Sequence, residues 1–139
     1  MNGVTTQGFD HSRTTHLSFG ASCTLTIFPP LLLQLNFCGV GSDGMAALAP
    51  VLVANTQLAS LNLDTNSLCE TGTASLASSL CGTSGLTSLD LGCNYMKSRG
   101  LEGLAGVLMV NSSMRALRLG CNDVGKRNDC KHPQGVPGG

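Results

Sequence analysis

An α/β solenoid of about four stacked strand–helix units, with a parallel sheet on its concave face, is the fold that this 139-residue sequence predicts. Three observations carry it. Residues recur at a spacing of 28: Leu58, Leu61, Leu63, Asn66, Leu68, Gly72, Leu76, Ala77 and Leu80 fall in register with Leu86, Leu89, Leu91, Asn94, Met96, Gly100, Leu104, Ala105 and Leu108. One step further on, Met114, Leu117, Leu119, Asn122 and Val124 repeat the pattern, and one step back Leu33, Leu35, Cys38, Val40, Gly44, Leu48, Ala49 and Leu52 do. Within each of the first three units, an alternation of leucines gives way to apolar residues at helical spacing.

Composition narrows the function classes. At 42% hydrophobic the chain can bury one core, but aromatic residues are four Phe, one Tyr and no Trp. Eight basic and eight acidic residues balance to zero, without the clustered positive face that nucleic-acid binding needs. The run Leu31-Leu32-Leu33-Gln34-Leu35 is too short to span a membrane, and no leader opens the sequence. Seven cysteines without a short-spaced framework read as small, mostly buried apolar groups in a reduced, cytoplasmic protein. The acceptor pattern Asn111-Ser112-Ser113 then marks no more than a helix end and a loop.

The elements follow in order. Residues 1–29 stand outside the repeat; the alternations Leu17-Ser18-Phe19 and Leu25-Thr26-Ile27 allow one or two strands, which would cap the first repeat's edge. The alternative is disorder. Unit 30–57 has a strand after Pro29-Pro30 and a helix starting near Ser42 or Asp43 as cap, with Met45, Leu48, Ala49 and Leu52 buried. Pro50 should kink or shorten that helix. Unit 58–85 has a strand over 60–63 and a helix over 71–80; unit 86–113 has a helix over 99–110. Gly100, Gly103 and Gly106 weaken the latter, so packing must hold it, and small residues let helices approach. A partial fourth unit, 114–124, offers a strand over 116–119, and 125–139 reads as a disordered tail.

The motif Leu-x-x-Leu-x-Leu-x-x-Asn-x-Leu, followed by a helix with Leu-Ala-x-x-Leu, resembles a leucine-rich repeat. The 28-residue period is similar to the ribonuclease-inhibitor subtype, found also in the C-terminal repeats of NOD-like receptors and in Ran GTPase-activating proteins. The resemblance covers residues 30–124 and implies a right-handed β-α superhelix; no GTPase-activating residue carries over with it. Physics points the same way. A strand spacing of about 4.8 Å against a helix width of about 10 Å forces the stack to curve, strands inside. Asn66, Asn94 and Asn122 sit where the chain turns and can bond to otherwise unpartnered backbone as a structural ladder. Cys38 takes that place in the first unit, which should be looser for it.

One helix per unit leaves the concave sheet face open. Gln34, Asn62, Asp90 and Arg118 should run across it as a row, with Asp64 beside them and Asp90 next to Arg118. We expect a partner protein there, against the plainer reading of a solvated face whose ion pair contributes well under ~1 kcal/mol. Cys93 and Cys121 occupy equivalent positions one unit apart; filling a semi-buried slot is favoured there over a redox pair. No metal or cofactor site is expected, and Cys130-Lys131-His132 lacks zinc spacing. His11, His16 and His132 lie outside the repeats and no phosphate loop is present, so no catalysis is expected. The function expected is a non-catalytic protein-interaction module. The alternative is a segment of a longer solenoid with no independent function, and uncapped ends would favour self-association.

Overall fold

The computed structural model describes residues 31–83 and 85–124, together with the backbone of three short strands near the N-terminus. In order the elements are β1 (Thr5–Thr6), β2 (His16–Ser18), β3 (Thr24–Thr26), β4 (Leu31–Gln34), α1 (Gly41–Ala54), β5 (Leu58–Asn62), α2 (Cys69–Leu80), β6 (Ser88–Asp90), α3 (Lys97–Leu108) and β7 (Ala116–Arg118). All seven strands form one sheet in sequence order. β4 to β7 are parallel, and Asn62, Asp90 and Arg118 pair in successive 28-residue steps. A one-residue irregularity at Leu31/Leu32 shifts the β4–β5 register before the regular pairing of Leu33 with Leu61.

Toward the N-terminus the sheet changes sense. Three strands, rather than one or two, pair antiparallel on the free edge of β4, with Leu25 opposite Leu33 and Leu17 opposite Leu25. Phe19, Ile27 and the tail 125–139 lie outside the described residues.

The core lies between sheet and helices. Leu61, Leu63, Leu89 and Leu91 point into it from β5, β6 and the turns after them, against Met45, Leu76, Leu80, Met96 and Leu104. Leu33, Leu35, Leu117 and Leu119 hold the same places in the outer units but are only partly buried, because each has a neighbouring unit on one side.

The helices start differently from expectation. Ser42 and Asp43 cap nothing: α1 begins at Gly41, α2 at Cys69 and α3 at Lys97, none with a side-chain cap. The next unit supplies the missing acceptor. Gly41, Cys69 and Lys97 donate their backbone N–H to the main-chain oxygens of Asn66, Asn94 and Asn122, at 2.9, 2.9 and 3.2 Å. The freed Ser42 hydroxyl donates to the Leu68 carbonyl oxygen at 2.8 Å. Asp43 lies exposed in the first turn of α1, where a negative charge suits the helix dipole.

Pro50 does not shorten α1, which runs 14 residues straight through it and is the longest of the three helices. Its ring lies on the exposed face, so it displaces no core side chain and forfeits one backbone bond only. Close helix approach is real at Gly72 and Gly100: a Cβ there would lie 3.1 Å from the Ser42 Cα and 3.3 Å from the Thr73 Cβ. Gly103 and Gly106, by contrast, are exposed with nothing near them, so the small-residue argument fails for both.

Candidate protein-binding face

Alternation along the strands sends Gln34, Asn62, Asp90 and Arg118 to the face opposite the leucines, and the pairing sets them side by side in that order. Arg118 is exposed; Gln34, Asn62, Asp64 and Asp90 are half-buried. Much of their oxygen is already engaged. Asn62 Oδ1 accepts from the Asp64 N–H at 2.9 Å, and Asp90 Oδ1 accepts from the Gly92 N–H at 3.1 Å. Asp64 Oδ2 accepts from the Thr65 hydroxyl at 2.9 Å. The bonds from the Asp64 and Gly92 N–H groups are turn-forming, made where each strand bends toward its helix. The expected Asp90–Arg118 ion pair is absent among the described residues, since Asp90 turns back to its own main chain; the pair found there joins exposed Arg99 and Glu70 at 3.6 Å on neighbouring helices. The Arg118 guanidinium and the Gln34 amide stay open to solvent or a partner.

Behind this row stands a buried polar spine. Asn94 Oδ1 accepts from the N–H groups of Asn66 and Leu68, while its Nδ2 donates to the Leu63 and Gly92 oxygens at 2.8 and 2.9 Å. Asn122 does the same one unit on, for Asn94 and Met96, donating to Leu91 at 2.8 Å. Asn66 serves the first unit, accepting from Cys38 and Val40 and donating to Leu35. Each asparagine therefore fastens the turn of the unit before it. The turn at Cys38 is held in the same way, by Asn66 of the following unit. No buried side-chain nitrogen or oxygen among the described residues lacks a partner.

A second polar column was missed in the sequence. Asn55 Oδ1 accepts from the Gln57 and Leu58 N–H groups, and Asn111 Oδ1 from those of Ser113 and Met114. Asn111 Nδ2 also donates to the Leu80 oxygen at 3.2 Å. The two lie 56 residues apart, twice the period, a spacing that could have revealed them. Engaged on both atoms, the Asn111 amide ties the loop between α3 and β7 to the end of α2.

The cysteines depart from the buried, apolar expectation. Cys69 and Cys93 are half-buried, Cys81 and Cys121 are exposed, and Cys38 is disulfide-bonded, its partner outside the described residues. The neighbouring Cys121 thiol, burial, and the Asp64 charge raise the pKa of Cys93, and Thr65 opposes them. No group of three or more metal-ligating side chains occurs among the described residues. A cleft of about 230 Å³ lies away from the concave face, lined by Cys81, Thr83, Asn111 and Ser113.

The leucine-rich repeat family model matches residues 31–49, 86–105 and 110–127. Comparison with curated proteins gives no match. Three matched units, set in a parallel sheet with alternating helices, make this chain an α/β leucine-rich repeat solenoid. Such domains generally mediate protein–protein interaction and are typically non-catalytic, and no enzyme family is indicated. No helix among the described residues is long and apolar enough to cross a membrane.

Proposed function

We propose that this protein is a non-catalytic interaction module that holds a partner protein on its concave sheet face, through Gln34, Asn62, Asp64, Asp90 and Arg118. The observation that carries it is the row itself: four polar side chains in register on the face opposite the packed leucines. Because Asn62, Asp64 and Asp90 are oriented by bonds to their own turns, their remaining hydrogen-bonding atoms stand in fixed positions, which lowers the cost of ordering them on binding. Arg118 is the residue suited to anchor a contact, and an acidic or carbonyl-rich partner segment is what it would take. We also read the repeats as ribonuclease-inhibitor-like, on their 28-residue period, and the location as cytoplasmic; the Cys38 disulfide weighs against that location. Self-association through the edge of β7 belongs to the same reading.

The test is affinity capture followed by a binding titration of the identified partner. Arg118→Glu and Asp90→Lys should each weaken binding at least tenfold, while Glu102→Lys on the exposed face of α3 leaves it unchanged. Thermal melts of Arg118→Glu and Glu102→Lys should overlay the parent, while Asp90→Lys, which loses the bond from the Gly92 N–H, should melt somewhat lower but as cooperatively. Equal binding by all of them would remove the concave face from consideration.

A further inference from the structure

We propose that Cys93 and Cys121 form a dithiol site that a low-molecular-weight disulfide oxidises to a covalent link between the third and fourth repeats. The two residues lie one period apart, at the same place in successive turns, and the main chain joins them there: the Cys93 N–H donates to the Gly120 oxygen at 2.8 Å. Both turns have the same shape, with φ of +48° at Cys93 and +55° at Cys121, so both side chains leave the backbone in the same direction. Adjacent strands at about 4.8 Å spacing fall within the Cα separation that a disulfide spans. The two thiols are near enough to interact, and the interaction raises the pKa of Cys93. Neither fills a packing slot, since Cys93 is half-buried and Cys121 exposed, and both are free thiols.

Exposure gives the order of attack. Cys121, as thiolate, attacks one sulfur of the external disulfide, forming a mixed disulfide and expelling one thiolate, which takes up a proton. Cys93 gives up its proton and attacks the Cys121 Sγ, and the second external thiol leaves. Two S–H bonds are lost, one protein S–S bond forms, and one external disulfide is reduced to two thiols. The raised pKa of Cys93, owed first to Cys121 beside it and then to burial, keeps it the slower nucleophile until Cys121 has been modified. The link fastens β7, the least buried of the parallel strands, to β6.

The full chain is incubated with oxidised glutathione, separated as monomer, alkylated with iodoacetamide, and cut with trypsin and an aspartate-directed protease. Peptides 90–97 and 119–122 isolate the two cysteines. They should appear joined, two hydrogens lighter than their sum, with the melting temperature raised by about 5 °C and restored by dithiothreitol. Cys93→Ser should instead leave Cys121 as a stable glutathione adduct without the rise, and Cys81→Ser should behave as the parent. Separate glutathione adducts on both cysteines in the parent, or Cys121 joined to Cys81 or to a second chain, would overturn the proposal.

Discussion

At the scale of single residues, an asparagine of the spine holds as much stability as a fully buried leucine. Asn94 satisfies four backbone groups of two turns, all buried, at distances from 2.8 to 3.3 Å. Removing the amide strands those groups, and each unsatisfied buried group costs about 1–3 kcal/mol. Asn94→Ala should therefore destabilise by about 4 kcal/mol, read as a fall in urea midpoint with unchanged slope. A loss below about 1 kcal/mol would mean that water enters the turn and replaces the amide. The position was legible because the amide recurs with the period. What each asparagine does was less legible, since it acts on the unit before it, 26 to 28 residues away. Nor could the sequence reveal that Phe37, Thr65, Cys93 and Cys121 adopt positive φ, because none is a glycine. Only the ladder of neighbouring turns imposes that conformation.

Among the elements, the helices separate propensity from packing. Gly100 and Gly103 look equivalent in a list of weak helix formers, yet one sits against Thr73 and the other faces open solvent. Gly103→Ala and Gly106→Ala should each stabilise by about 0.5–1 kcal/mol through the unfolded chain's lost freedom. Gly100→Ala should not gain this, because its Cβ would crowd Met96 and Thr73 at 3.2 and 3.3 Å. Urea titrations of the three variants decide the matter, and a gain at Gly100 matching that at Gly103 would show that α2 and α3 can move apart without cost. The same contrast explains the helix starts. Sequence rules look for a Ser or Asp cap, but here the first N–H of each helix bonds to a main-chain oxygen 25 residues later, and no local pattern encodes that.

For the whole molecule, stability should grade along the stack, because each unit touches only its neighbours. Leu61, Leu63, Leu89 and Leu91 are sealed between two units, while Leu117 and Leu119 have a neighbour on one side and stay partly buried. The β7 backbone has β6 on one edge and no paired strand on the other among the described residues. Amide exchange should consequently be slowest at 61–63 and 89–91, and at least a hundredfold faster at 116–119 in the reduced protein. Such a profile would mean that the free edge meets solvent and that binding is left to the concave face. Uniform protection through 116–119, with a sedimented mass of two chains, would mean instead that a second copy covers this edge. The apolar side chains half-exposed there, Val107, Leu108 and Met114, would then be the seam of a dimer rather than the margin of the core.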